Sequence, residues 1–319
     1  MQPRIRFAHL PTPIEEMPRL SRILNGPTLF IKRDDQTGLA FGGNKTRKLE
    51  FLIGDALSKE AKTLVTAGAA QSNHCRQTAA AAAKFGLKCN LVLTGVKPQN
   101  PSANLLLDEL FGTEIHWVED RKDRDSTLQA VFDELKSEGQ APYLVPYGGS
   151  SPIGALGYHF AMQEFMNQNI SIDWIIVASS SGGTQSGLTS GAQAFQFEGK
   201  ILGISIDEPE NDLKEKVAEL ATATYSLENG VKSFIPSEIL VNADYCKQGY
   251  GVLTDLERNA IKLFAESEGL LLDPVYTGRA AGGMVDLVKN GYFKKSDKVL
   301  FWHTGGQPAL FAENYTATR

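Results

Sequence analysis

Short apolar, β-branched runs recur along this chain, most of them followed by a longer segment with helical spacing. KTLVTAG (62–68), KCNLVLTG (88–95), TEIHWVE (113–119), PYLVPYG (142–148), DWIIVAS (173–179), GKILGISI (199–206) and DKVLFWHT (297–304) predict strands. Strands alternating with helices predict an α/β fold in which a parallel sheet is covered by helices. Two helical segments carry their own punctuation: 126–139 opens on Ser and closes on Gly, and 254–269 opens on Thr and closes on Gly. No low-complexity tract, flexible linker or solenoid repeat divides the chain. Three junctions share one grammar: residues 64–83, 174–192 and 299–314 each run from an apolar strand through small and hydroxyl residues into a helix. Such junctions put free backbone N–H groups at the carboxyl edge of a sheet, where α/β folds bind ligands, so the three predict one composite cleft.

Composition narrows the partners. The 319 residues suffice for a large core and two lobes, and 42% apolar with 22% charged residues is ordinary for a folded domain. A net charge of −5 gives no electrostatic reason to expect nucleic acid or an anionic membrane, so a small molecule is the expected ligand. The start, MQPRIRFAHLPTPIEEM, has no apolar signal core, and no apolar run approaches the roughly 18 residues of a membrane span, which reads as a cytoplasmic chain. Three cysteines without CxxC spacing and five scattered histidines predict neither a disulfide framework nor a metal site.

Two stretches carry chemistry. In 179-SSSGGTQSG-187, small residues admit close backbone approach, a following helix favours negative charge, and the Ser181 and Thr184 hydroxyls can donate, which suits a phosphate. By itself the stretch is equally a flexible glycine turn, and it matches neither GxGxxG nor GxxxxGK[ST]. In 42-GGNKTRKLEFL-52, Lys45 follows a glycine turn at a helix start, with Arg47 and Lys48 nearby. Neighbouring cations disfavour its ammonium form and suit it to Schiff-base chemistry. A phosphate seat and a reactive lysine together are what pyridoxal 5'-phosphate requires, although the two segments lie far apart in sequence.

Together GGNKTRKLEFL, QSNHCRQTAA, SSSGGTQSG, DPVYTGRA and HTGGQPALF resemble, in that order, the motifs of fold type II pyridoxal-phosphate enzymes. The group they resemble is that of 1-aminocyclopropane-1-carboxylate deaminase and D-cysteine desulfhydrase, from LPTPIEEMPRLS (10–21) to HTGGQPALF (303–311). The resemblance implies a two-lobed, three-layer αβα architecture like the tryptophan synthase β-subunit. The large cofactor-binding domain would span 1–47 plus 158–319, and the small domain 48–157. It implies that Lys45 forms the Schiff base, that Asn73 bonds the pyridine-ring hydroxyl, and that Ser72 lies by the substrate carboxylate and reacting carbon. Ser181, Gly182, Gly183 and Thr184 would cradle the phosphate, with Lys48 adding a charged contact. Tyr276 and Tyr250 would stand near the substrate. A homodimer is implied as well.

Within that group, ring-opening deaminases read DPVYEG and HLGG where this chain has Thr277 and Thr304. The threonines match the D-cysteine desulfhydrase pattern. A carboxylate beside the pyridine nitrogen keeps it protonated, whereas a hydroxyl leaves it largely neutral and suits β-elimination after loss of the Cα proton. Thr304 is assigned to that side, and Lys45 is the expected base, ahead of a tyrosine or Ser72. The implied reaction turns D-cysteine into pyruvate, hydrogen sulfide and ammonia. Alternatives are L-cysteate, β-chloro-D-alanine or D-serine as substrate, with His74 the one candidate to meet a sulfonate. Ring opening, a non-catalytic phosphate-ligand binder and a nicotinamide oxidoreductase remain as other readings, the last disfavoured by the missing GxGxxG.

Overall fold

The computed structural model describes residues 2–316. Its strands are β1 (Ile14–Glu16), β2 (Thr28–Arg33), β3 (Thr63–Ala69), β4 (Lys88–Thr94), β5 (Glu114–Val118), β6 (Pro142–Leu144), β7 (Trp174–Ser179), β8 (Lys200–Ser205), β9 (Leu240–Asn242) and β10 (Lys298–His303). Its helices are α1 (Pro18–Leu24), α2 (Asn44–Ser58), α3 (Asn73–Lys84), α4 (Ala103–Leu110), α5 (Arg124–Ser137), α6 (Pro152–Asn167), α7 (Gly183–Ala194), α8 (Glu210–Ser226), α9 (Asp255–Glu268), α10 (Thr277–Lys289) and α11 (Glu313–Thr316).

All seven predicted runs are strands, and they divide between two sheets. One is ordered β1-β2-β10-β7-β8-β9, the other β5-β4-β3-β6. Every pairing is parallel except β1 with β2. The reason for the parallel arrangement is visible in side-chain alternation. Ile175, Val177, Leu300 and Trp302 pack on one face of the larger sheet with Tyr158, Met162 and Phe165 of α6 and Leu188 of α7. Ile176, Ala178, Val299 and Phe301 pack on the other face, with α9 and α10. A strand buried on both sides reads as a continuous apolar run, and helices must cover both faces. The smaller sheet repeats the scheme: Leu64, Leu91 and Leu93 meet α2 and α3, while Val65, Val92 and Val118 meet Val131 and Leu135 of α5. The fold is α/β, with helices on both faces of each sheet.

Three strands go beyond the predicted runs. β2 is the instructive one, because its sequence, TLFIKR, ends in two cations. Lys32 is nevertheless fully buried. Its ammonium meets Glu164 Oε1 at 2.6 Å and donates to Thr12 O at 2.7 Å. The punctuation of α9 holds as read: Thr254 caps it in a capping box with Glu257, and Gly269 closes it in the left-handed conformation. Helix α5 starts earlier than predicted, because Ser126 spends its hydroxyl on Asp123 O and is no cap. The third junction enters a short 3₁₀ turn, Gln307–Phe311, where an α-helix is predicted.

The expected domain limits at 47/48 and 157/158 both fall inside helices. Arg47 of α2 reaches into the larger sheet's side, to Asp34, while Leu49, Leu52 and Ile53 pack with the smaller sheet. Helix α6 is shared in the same way, with Ile153 against the smaller core and Tyr158 in the larger. The chain crosses between the sheets within these helices.

Candidate active site

The turn before α2 is held by backbone. Gly43, at φ +122°, precedes the helix, and Asn44 N–H donates to Thr304 O at 3.0 Å. Gly305 passes so close that a Cβ on it would lie 2.6 Å from Gly43 Cα. Two glycine turns in contact therefore place the first turn of α2 at the end of β10. From there Lys45 Nζ donates to Gly148 O at 3.0 Å, and Lys48 Nζ donates to the same oxygen at 3.1 Å. Burial lowers Lys45 to about 8, and burial followed by the Lys45 charge holds Lys48 well below the ordinary lysine range. Desolvation thus replaces crowding by cations as the cause of the depressed Lys45. Arg47 does not contribute, since it turns away to Asp34 and Glu164 at 2.8 Å each.

Across the cleft, the loop after β7 leads into α7. Gly182 sits before the helix at φ +79°, without a side-chain cap. The first-turn N–H groups of a helix have no intrahelical acceptors, and together with the helix dipole they favour an anion. Supporting hydroxyls frame the turn. Ser150 Oγ lies 2.7 Å from Ser181 Oγ and accepts from Gly183 N–H at 3.2 Å, and Asn44 Nδ2 donates to Thr184 Oγ1 at 3.0 Å. Gly148 closes the arrangement at φ +66°, where a Cβ would sit 2.4 Å from Ser181 Oγ. The donor set fits pyridoxal phosphate: an anion seat at α7, a half-buried amine at Lys45, and the Ser179 hydroxyl of a cleft-lining residue, which has no hydrogen-bond partner among the described residues.

The third wall is the start of α3. Ser72 caps the helix, accepting from Cys75 N–H at 3.2 Å, and also lines the cleft. Asn73 Oδ1 accepts from Asn104 Nδ2 at 2.9 Å, which leaves its amide hydrogens as the side a ligand can use. Thr304 and Tyr276 complete the lining. All three junctions therefore contribute to one cleft, as their shared grammar predicts.

Four expected residues stand behind the wall. Tyr250 reaches the cleft through Tyr276, with the two hydroxyls 2.9 Å apart. Burial raises both phenols above their ordinary range, so each is a neutral donor and a poor base. Lys48 supports the cradle from the rear, through Gly148 O and, at 3.4 Å, Ser150 Oγ. Gly183 takes part through its backbone N–H. Thr277 is tied to Asp273: its hydroxyl donates to Oδ1 at 2.6 Å and accepts from Asp273 N–H at 2.7 Å. It fixes the start of α10 and is not on the wall, whereas Thr304 is.

Several wall residues lie outside the sequence-based set: Asn44, Tyr147, Gly148, Ser179, Ser180 and Gly305. His74, considered in the sequence only as a partner for a sulfonate, is on the wall too. The signal for the loop after β6 was present, since 147-YGGSSPIG-154 repeats the small-and-hydroxyl grammar of the other junctions.

Comparison with known proteins agrees with this geometry. Residues 5–305 match the family described as "Pyridoxal-phosphate dependent enzyme". A crystal structure of an "ACC deaminase homologue" is 39% identical with a TM-score of 0.89, over 97% of this chain and 94% of the other. A fungal L-serine ammonia-lyase from Rhizomucor miehei shares the fold at 15% identity and a TM-score of 0.72, covering 98% and 99% of the two chains. A hydrogen sulfide-producing enzyme from Fusobacterium nucleatum does so at 16% and 0.64, covering 93% and 96%.

Proposed function

Because the chain belongs to the family of pyridoxal-phosphate dependent enzymes and pyridoxal 5'-phosphate is its cofactor, we propose that it catalyses β-elimination of D-cysteine to pyruvate, hydrogen sulfide and ammonia. One observation carries the choice of reaction: among the described residues, no carboxylate lines the cleft. Thr304 puts a hydroxyl on the wall where the ring-opening pattern has leucine, and Thr277, behind the wall and bonded to Asp273, stands where that pattern has its glutamate.

When bound, pyridoxal phosphate supplies an electron sink for the Cα of an amino acid. The α7 turn, with Ser181 and Thr184, would hold the phosphate, and the Asn73 amide would donate to the ring hydroxyl. Lys45, lowered to about 8, has a useful free-amine fraction at neutral pH and takes the Cα proton. The electron pair of that C–H bond becomes the Cα–Cβ double bond, and the Cβ–S bond breaks with its pair on sulfur. Ser72 orients the substrate carboxylate, and Tyr276, as a neutral phenol, donates to it or to the departing sulfur. Water then releases ammonia and pyruvate.

Ring opening, as the name of the 39%-identical homologue suggests for that protein, calls for the stronger electron sink that a carboxylate would provide. L-Cysteate calls for a cation beside its sulfonate. The reading also includes two lobes divided as 48–157 and the remainder, and a homodimer, which light scattering would check. The decisive experiment measures sulfide and pyruvate from D- and L-cysteine side by side, with Lys45→Ala as the control. Equimolar products from the D-isomer alone are expected. No product from either isomer, in a protein that still shows the visible band of the cofactor, would sink the substrate assignment, and ammonia from 1-aminocyclopropane-1-carboxylate would favour ring opening.

A further inference from the structure

Asn104 of α4 is fully buried and is not on the cleft wall, yet its side chain is spent on the residues around the start of α3. Its Oδ1 accepts from Arg76 Nη1 at 3.0 Å. Its Nδ2 donates to Gln71 O and to Asn73 Oδ1, each at 2.9 Å, and its backbone N–H donates to Gln71 Oε1 at 3.0 Å. These contacts fix two amides in sequence. A guanidinium only donates, so the Asn104 atom facing Arg76 is the oxygen, and a carbonyl only accepts, so the atom facing Gln71 O is the nitrogen. That nitrogen also faces Asn73, so the Asn73 atom it meets is the oxygen. Arg76 Nη1, 3.5 Å from the same oxygen, is a donor too. Asn73 Nδ2 is thereby turned the other way. It donates to no described residue and is not sealed from solvent, in a residue that lines the cleft. Arg76 is fully buried and anchored at its far end, where Nη2 donates to Gly42 O at 3.1 Å, in the turn that leads to Lys45.

We propose that Asn104 is a positioning residue: it relays the orientation of Arg76 to Asn73 and holds that amide with its hydrogens toward the ring hydroxyl of pyridoxal phosphate. The two ends of an amide are nearly alike in shape, so without Asn104 the group turns over at little steric cost and sets oxygen against oxygen. The inference rests on the cofactor contact assigned to Asn73 above and is independent of the substrate.

The test titrates the full-length protein, stripped of cofactor, with pyridoxal phosphate and with its 3-deoxy analogue, which lacks the ring hydroxyl, by equilibrium dialysis. The quantity read is the ratio of the two dissociation constants. Asn104→Asp keeps the size and the Arg76 contact but puts an acceptor against Asn73 Oδ1, so the preference for pyridoxal phosphate should fall about tenfold, the value of one hydrogen bond. Asn73→Ala removes the donor itself and should lower the preference by a similar factor. Asn104→Ala, which carries no charge into the core, should lower it in the same direction and reports the change if Asn104→Asp does not fold. Equal weakening of both ligands by the Asn104 variants would mark a merely structural residue and overturn the proposal. An unchanged ratio in both Asn104 variants, with the preference lost in Asn73→Ala, would overturn it too while leaving the Asn73 contact in place. An unchanged ratio in Asn73→Ala would sink that contact and the proposal with it.

Discussion

Helix α2 has two charged sides within one turn, and they are built on opposite principles. On one side Arg47 donates through Nε and Nη2 to Asp34 at 2.8 Å each, and to Glu164. Asp34 also accepts from the Tyr158 hydroxyl at 2.6 Å and from Trp302 Nε1 at 2.8 Å. Burial opposes its charge, but Arg47 and Lys32 outweigh it and hold the carboxyl at about 2. On the other side Lys48 is as buried and Lys45 is half-buried, but what they share is a neutral carbonyl, Gly148 O. Both are pushed toward the free amine. Burial is common to the two sides, and pairing separates them. A buried charge with its opposite is scaffold, and a buried amine without one is held ready for chemistry.

Breaking the paired side should cost the most. Asp34→Asn leaves Arg47 and Lys32 with less negative charge in a dry site, and is expected to destabilise the fold by about 3–5 kcal/mol in denaturant titration. The sign with pH follows from the lowered carboxyl. Its stabilisation is full above the ordinary 3.8 and is lost as pH falls toward 2. The variant should therefore lack that part of the wild-type acid transition. A loss below about 1 kcal/mol would show that the network contributes little.

Removing a charge from the unpaired side should do the reverse. Lys48→Met relieves a desolvated amine and is expected to stabilise the cofactor-free fold by about 0.5–2 kcal/mol, as destabilised functional positions often permit. It should also weaken cofactor binding about tenfold, one hydrogen bond's worth, because Ser150 loses its support behind the cradle. Destabilisation comparable to that of Asp34→Asn would erase the contrast between the two sides.

The smallest effect is a shift of midpoint. Uptake of pyridoxal phosphate by cofactor-free protein, followed by its visible band, should accelerate as pH rises through about 8, because the attacking form is the free amine and the ammonium dominates below that value. A midpoint near the 10.5 of an ordinary lysine would mean that burial does not tune Lys45.

Much of this arrangement was legible in the chain. The apolar runs mark seven strands because a strand covered on both faces cannot hide its composition. The glycine turns and hydroxyl loops mark the cleft because an anion seat needs small residues wherever it occurs. β2 escaped because Lys32 and Arg33 read as surface, and the partners that bury Lys32, Glu164 and Thr12 O, lie 132 and 20 positions away. Thr277 and Thr304 look alike in their motifs, and only the position of Asp273 shows which hydroxyl is already engaged.

The sequence by itself determined the α/β class and the cofactor, since periodicity and local turn motifs are properties of neighbours along the chain. Tertiary structure decided that burial lowers Lys45, that Thr304 and not Thr277 lines the cleft, and that Nε2 of His74 carries its ring hydrogen, because the Thr66 hydroxyl beside it donates to Val145 O. Each of those depends on what burial removes and on which distant group takes up a hydrogen bond, and neither is written in the spacing of residues.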